Sequence, residues 1–448
     1  MLKAKGGNRA GAAIERTFDT VNAFIESVIR HETTSGVVLL ISTALALLIM
    51  NSGLSSAYLN FINTVIGVNI GGWGLTEPLK LWVNDGLMAI FFLMVGLEIK
   101  REVLIGELAT PKKALLPIIA AIGGMVMPAF IYFMFNPGPP ELYGWGIPMA
   151  TDIAFAMGIL AAAGKKAPRS LYVFLIALAI VDDLGAVMVI AIFYTKYLAA
   201  EYLGAAMLVW ALMFILNLGG VKSLLPYYVL AIFVWFAMLH SGIHATLAGV
   251  MTAMAIPLSG KLPESSLDLC ELSHGQDRTE KHHTVNNSGK TLMEAKKRIF
   301  LVESPVDRAL ADLHLPVAYI VMPVFAFVNA GIPLSLELAG KIFTHPVAHG
   351  VILGLCIGKF AGITLSSLAA VKLGAARLPD GMSVAHLAGG GLIGGVGFTM
   401  SIFIAALGFR NEPELLLTAK TAILFGSTLS AILGFATLSL VSSRRRGG

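Results

Sequence analysis

Charge is what this sequence has least of. Asp, Glu, Lys and Arg make up 13% of its 448 residues while 56% are hydrophobic, against about 25% charged in an average soluble protein. A soluble body of this size cannot be surfaced with so few polar groups, and disorder is excluded by the same deficit. Cysteine is almost absent: Cys270 sits in a polar segment and Cys356 in an apolar one, so neither a disulfide framework nor a metal-ligand spacing can be built. The formal charge of +5 is not gathered into a basic stripe interleaved with aromatics, which argues against nucleic acid as a partner. No apolar core directly follows Lys3, Lys5, Arg9, Glu15, Arg16 and Asp19, so the N-terminus does not read as a cleavable signal peptide. What is present instead is one long apolar run after another, the mark of an integral membrane protein.

A spanning helix needs about 20 mostly apolar residues. Such runs lie near 33–51, 78–99, 114–135, 144–163, 170–194, 202–219, 224–239, 242–257, 314–333, 348–370, 386–408 and 415–441. The expected fold is therefore an all-α membrane protein of about twelve spans, the seventh and eighth short and separated by little more than His240 and Ser241. Alternate connections carry the positive charge: Lys100, Arg101, Lys112 and Lys113; Lys165, Lys166 and Arg169; Lys222; Lys372 and Arg377. The opposite set holds only Lys80, Lys196, Lys341 and Arg410. Lys and Arg are retained on the cytoplasmic side, and an even count of spans then puts both termini there. This divides the chain into an N-terminal segment 1–32, spans one to eight over 33–257, a cytoplasmic polar loop 258–313, spans nine to twelve over 314–441 and a basic tail 442–448. The loop contains His282-His283, but with no Cys or spaced carboxylate beside them it reads as a solvated linker rather than a metal site.

An ionisable residue inside a span costs several kcal/mol and is a functional hypothesis by default. Asp85 and Glu98 fall in the second span, Asp152 in the fourth, Asp182 and Asp183 in the fifth, His244 in the eighth and Lys359 in the tenth, with Lys420 near one end of the twelfth and expected to snorkel. Asp182 and Asp183 are adjacent mid-span, where two carboxylates cannot both ionise without a large desolvation cost. Helical neighbours point about 100° apart, so one can face a cavity and the other a neighbouring helix. Such a pair suits the exchange of a hard monovalent cation for protons; a structural pair hydrogen-bonded across helices is the competing reading. Gly144, Gly146 and Pro148 interrupt the fourth span just before Thr151-Asp152, and Gly389-Gly390-Gly391 with Gly394, Gly395 and Gly397 interrupt the eleventh. Two interrupted spans in opposite halves suggest an inverted repeat with a site where they meet, unless the glycines only permit close packing. Lys359 needs a partner, and a plain salt bridge competes with a part in a proton cycle.

Ala150-Thr151-Asp152-Ile153-Ala154-Phe155, Val181-Asp182-Asp183-Leu184-Gly185, the run from Leu239 to Gly249, Gly358-Lys359-Phe360-Ala361-Gly362 and Gly397-Phe398-Thr399-Met400-Ser401 together resemble the bacterial NhaA family of sodium/proton antiporters, from about residue 25 to 441. The resemblance implies twelve helices with inverted repeats, two crossing discontinuous helices around the site, and an electrogenic exchange that expels Na⁺ or Li⁺ for external protons by alternating access. It makes Asp183 the principal ligand of the transported cation and Asp182 its partner. Lys359 would pair with Asp182 when no cation is bound, and Thr151 and Asp152 would line the site. It implicates Glu98, Glu102 and His244 in pH regulation and gives Asp85 a supporting part. Two departures stand out: segment 259–305 is longer and more polar than is usual, and Leu310-Ala311 replaces a frequent Glu-His pair, flanked by Asp307 and Asp312. Interrupted helices that meet head to head also set like dipole ends together, and Asp152 is expected to offset the N-termini and Lys359 the C-termini.

A sodium-coupled symporter of a small organic solute is the alternative, but it needs polar groups for that solute and no spare intramembrane Arg is present. An intramembrane aspartyl protease needs its aspartates on two helices, one commonly after Gly-x-Gly, and leaves Lys359 without a role. The sequence is thus read as a secondary transporter and not an enzyme, without a cofactor, in the bacterial inner (plasma) membrane. Its partners are Na⁺, Li⁺, H⁺ and the lipid bilayer, with a homodimer left open.

Overall fold

The computed structural model describes residues 32–70, 73–164, 167–195, 198–258 and 304–444. Expectations about the N-terminal segment, Lys165, Lys166, Lys196, Cys270, His282-His283 and the last basic residues lie outside that range. Helix dominates. Among the described residues six helices are long and apolar enough to cross a membrane, and three bent pairs raise the number to nine. The three remaining runs fall short for local reasons. The second contains a π-turn, Trp82–Leu87, ahead of helix α3 (Met88–Leu104). The seventh is a helix of 17 residues and the eighth one of 9, about 25 and 14 Å at 1.5 Å per residue. Between those two, Gly242 takes a left-handed φ of 84°, the usual way for a glycine to end a helix. His244 therefore lies in the connection and not within a spanning helix, as the sequence had suggested.

Among the described residues the helical fold has one exception. After α1 (Glu32–Met50) and α2 (Ser55–Ile62), strand β1 (Val65–Ile70) pairs antiparallel with β2 (Trp73–Pro78), Val65 opposite Pro78 and Gly67 opposite Thr76. Val65, Ile66, Val68 and Ile70 are β-branched, and Gly71-Gly72 follow in the sequence, a hairpin signature that a search for 20-residue apolar runs passes over.

The chain divides into two compact units. One comprises the described parts of Met1–Asn84, Glu107–Tyr194 and Ala318–Gly448. It contains α4 (Pro111–Phe135), α5 (Ile153–Ala163) and α6 (Arg169–Phe193). Its core joins Leu171, Leu175 and Leu178 of α6 to Leu116, Ala120, Ile363, Leu387 and Ile393. The spacing of those leucines is that of one helix face, and the next step of the same stripe is Asp182. The periodicity that buries the leucines thus carries a carboxylate inward.

The other unit comprises the described parts of Asp85–Gly106 and Thr195–Val317. Here α3 packs with α7 (Ala200–Leu218), α8 (Leu225–Ser241), α9 (Leu247–Ala255) and α10 (Pro305–Pro316). The core holds Leu93, Leu97, Tyr227, Val234, Ala253, Val306 and Leu310. Helix α10 begins at Pro305, inside the segment read as loop, because Ser304 caps it by accepting from Asp307 N at 3.1 Å.

Back in the first unit follow α11 (Met322–Asn329), α12 (Leu336–Thr344), α13 (Pro346–Leu353) and α14 (Lys359–Lys372). The last helices are α15 (Val384–Gly394), α16 (Phe398–Gly408) and α17 (Pro413–Arg444).

Candidate functional site

Two of the three bent pairs of the first unit interrupt the runs that carry Thr151-Asp152 and the Gly389–Gly397 glycines. Short turns at Glu141–Gly144 and Ile147–Met149 precede α5 with a bend of 40°, and α15 and α16 are bent by 44°. In the first, Pro148 and the extended Ala150 (ψ 146°) halt the helix, and Asp152 restarts it by accepting Phe155 N at 3.2 Å, an N-cap. In the second, Gly395-Val396-Gly397 halts it. Close approach requires glycine at Gly397, where a Cβ would stand 2.9 Å from the Ala150 carbonyl oxygen.

The two interruptions satisfy each other's backbone. Asp152 N donates to Val396 O at 2.7 Å, and Thr151 Oγ1 donates to Gly394 O at 2.8 Å. In return Ser401 Oγ donates to Ile147 O at 2.8 Å. These are the carbonyls that helix ends leave unsatisfied, and lipid offers them no partner. The N-termini of α5 and α16 share one carboxylate. Asp152 caps α5 through Oδ1, and its Oδ2 accepts from Thr399 N at 3.0 Å and from the Thr399 hydroxyl. A negative charge between two helix N-termini is the favourable placement.

Asp182 and Asp183, both 1% exposed, stand on α6, and Lys359, 0% exposed, opens α14 after a π-turn, Gly354–Gly358. Lys359 Nζ donates to Asp182 Oδ2 at 2.5 Å. Asp183 is within electrostatic reach of Lys359, and Thr151 lies near Asp182. Of the residues read from the sequence, Thr151, Asp152, Asp182, Asp183 and Lys359 are thus held in one unit. Lys359, expected to offset the facing C-termini, is paired with Asp182, and the Gly394 and Ile147 carbonyls near those ends accept hydrogen bonds from Thr151 and Ser401.

Glu98, Glu102 and His244 belong to the other unit. Glu98 and Glu102 are half-buried on α3, with Arg101 and Glu102 acting electrostatically on Glu98. Beside them Lys100 Nζ donates to Met254 O at 2.7 Å and Ile256 O at 2.5 Å, closing the C-terminus of α9. The Asp85 carbonyl accepts from Trp235 Nε1 at 2.9 Å.

Sequence reasoning did not assign Thr399 and Ser401, although their motif was noted, and it misread Lys420. That lysine does not snorkel: 6% exposed, it donates to Asn329 O at 2.7 Å, the carbonyl that ends α11, and Asn329 Nδ2 donates to Asn84 Oδ1 at 2.7 Å. A cation at a helix C-terminus is favourable, and nothing in the spacing of Lys420 announced the acceptor.

The sequence matches the family described as Na⁺/H⁺ antiporter 1 over residues 26–438. It is 42% identical over 427 residues to Na⁺/H⁺ antiporter NhaA 1 of Saccharophagus degradans, covering 94% of this chain and 92% of that protein. With Na⁺/H⁺ antiporter NhaA of Sulfurimonas denitrificans identity is 43% over 437 residues, covering 96% and 98%. With Na⁺/H⁺ antiporter NhaA of Helicobacter pylori strain G27 it is 41% over 436 residues, covering 96% and 98%.

Proposed function

The chain belongs to the NhaA family of Na⁺/H⁺ antiporters, and from that premise we propose that it expels Na⁺, and Li⁺, from the cytoplasm in exchange for external protons. The site is the pair Asp182 and Asp183, with Asp183 the principal cation ligand. The observation that carries this reading is the buried ion pair of Lys359 with Asp182 at 2.5 Å, next in sequence to a second buried carboxylate. A dry interior tolerates a carboxylate only when it is paired, protonated or bound to a cation. Lys359, H⁺ and Na⁺ therefore compete for the same oxygens, and alternating access turns that competition into exchange. Two carboxylates serve one monovalent cation, so more protons than cations cross in each cycle and transport is electrogenic.

Thr151 and Asp152 support the site, Asp152 chiefly by bracing two helix N-termini. The interrupted helices cross as the halves of an inverted repeat within a twelve-span fold, and the reciprocal bonds of Thr151 and Ser401 favour that symmetry. The positive charge of alternate loops favours a bacterial inner-membrane protein with both termini cytoplasmic. Glu98, Glu102 and His244 set the pH range, since His titrates near neutrality and the two glutamates flank Lys100 and Arg101 at the cytoplasmic end of α3. Substitutions there are expected to displace the pH–activity curve more than they lower its maximum; a uniform loss on an unmoved curve would assign them to structure alone.

The site is tested in everted vesicles by proton flux on addition of Na⁺ or Li⁺. Asp182→Asn and Asp183→Asn should each abolish the flux while the protein remains inserted, because an amide touches a cation but cannot trade it for a proton. Wild-type rates in both variants would overturn the assignment.

A further inference from the structure

Hydroxyls inside helices of this protein generally bond back to their own turn. Thr43 donates to Leu39 O at 2.9 Å, Thr252 to Ala248 O at 2.8 Å, Thr418 to Glu414 O at 2.9 Å, and Ser366 of α14 to Ile363 O at 3.3 Å. Two hydroxyls on α14 depart from this habit. Thr364 and Ser367 are 7% and 0% exposed, and the Oγ of each has no hydrogen-bond partner. An unpaired buried hydroxyl is destabilising, and the back-bond that would relieve it is available to any helical Ser or Thr. These two point elsewhere. Thr364 Oγ1 faces α15, 2.8 Å from where a Cβ on Gly391 would stand. Ser367 follows one turn later on the same flank, about 5–6 Å away, a separation that one water bridges with a hydrogen bond to each oxygen.

Apolar side chains of both helices lie in the same buried layer. Ile363 and Ala370 of α14 and Leu387 of α15 belong to the buried core of this unit. Both hydroxyls lie between Lys359 and the Lys372 end of α14, about 7.5 and 12 Å along the axis from Lys359. Helix α15 connects them to the site: Gly391 lies beside Thr364, and one turn on, the Gly394 carbonyl accepts Thr151 Oγ1 at 2.8 Å, Thr151 lying near Asp182.

The geometry points to a proton path, separate from the route of the cation, running from the Asp182–Lys359 site through Thr364 and Ser367 toward the Lys372 end of α14, single waters bridging the gaps. It rests on the antiport reading. A hydroxyl accepts a proton on oxygen and gives up its own, so it relays without holding charge. One proton leaves the Asp182 carboxyl or the Lys359 ammonium for a water; each Oγ takes one proton and releases one, and one proton emerges. Only N–H and O–H bonds change. Two lone hydroxyls in an apolar layer offer too few oxygens to replace the hydration of an alkali cation, so the path passes protons only.

The test compares two fluxes in proteoliposomes of the full chain. Na⁺-driven proton movement needs the path. Exchange of radiolabelled Na⁺ between equal Na⁺ concentrations on both sides moves no net proton. In the double variant Thr364→Val with Ser367→Ala, proton movement should fall tenfold or more with an enlarged solvent deuterium effect, while Na⁺/Na⁺ exchange stays within about twofold of wild type. Thr364→Ser with Ser367→Thr keeps both hydroxyls and should restore the proton flux, and Ser366→Ala should change neither flux. Proton movement at the wild-type rate in the Val/Ala variant overturns the path. So does an equal fall of both fluxes, which would make the hydroxyls structural. Wild-type protein that moves no protons on Na⁺ addition would instead overturn the antiport reading beneath it.

Discussion

Lys359 and Asp182, 0% and 1% exposed and 2.5 Å apart, form a pair in which each buried charge depends on the other. Removing one partner of a buried pair generally costs about 3–5 kcal/mol, because the other is left uncompensated. Lys359→Ala is therefore expected to lower the denaturation midpoint in detergent markedly, and the double variant Asp182→Asn with Lys359→Ala should recover part of the loss. Additive losses across the four-member cycle would show that the two charges do not sense each other. Thr399→Val, which removes one of the donors to Asp152, should cost about 1–2 kcal/mol and weaken apparent Na⁺ affinity; unchanged affinity would confine Thr399 to packing. Asp152, Asp182, Asp183 and Lys359 were legible because a charge in an apolar run has no default explanation. Thr399 and Ser401 were not, since a hydroxyl in a membrane helix has a default partner in its own backbone, and only the fold shows that these two reach across.

At the scale of elements, the interruptions before α5 and between α15 and α16 were visible as Gly and Pro in otherwise apolar runs. The bonding that stabilises them was not, because it depends on which carbonyl faces which hydroxyl. A helix N-terminus carries about +0.5 of a charge, and Asp152 sits between two of them. Asp152→Glu is expected to keep measurable exchange with weakened cation affinity, and Asp152→Asn a smaller rate. Asp152→Lys, which adds charge of the same sign, should reduce the folded, inserted fraction measured by fluorescence-detected size exclusion. A well-folded, fully active Asp152→Lys would remove the brace. The hairpin Val65–Pro78 and the turn holding His244 were missed for a shared reason: a 20-residue hydropathy window averages over elements of six to nine residues.

For the whole molecule, composition alone established a multi-span membrane protein, while the number of spans depends on how bent pairs and short helices are counted. The polar stretch 259–303 has the composition of a solvated linker, and its carboxylates lie outside the apolar runs that carry the exchange chemistry. Deleting residues 267–289 should leave Na⁺-driven proton flux intact, and a correctly inserted but inactive deletion would give the stretch a part in transport. The central claim is that one set of buried carboxylates holds either protons or Na⁺. Its most direct test is the apparent Na⁺ affinity for proton flux in proteoliposomes, measured across the active pH range. Shared carboxylates predict that affinity weakens as pH falls, approaching about tenfold per pH unit for each competing proton at the acidic end. An apparent affinity that stays constant with pH, while the rate still changes, would contradict a shared site.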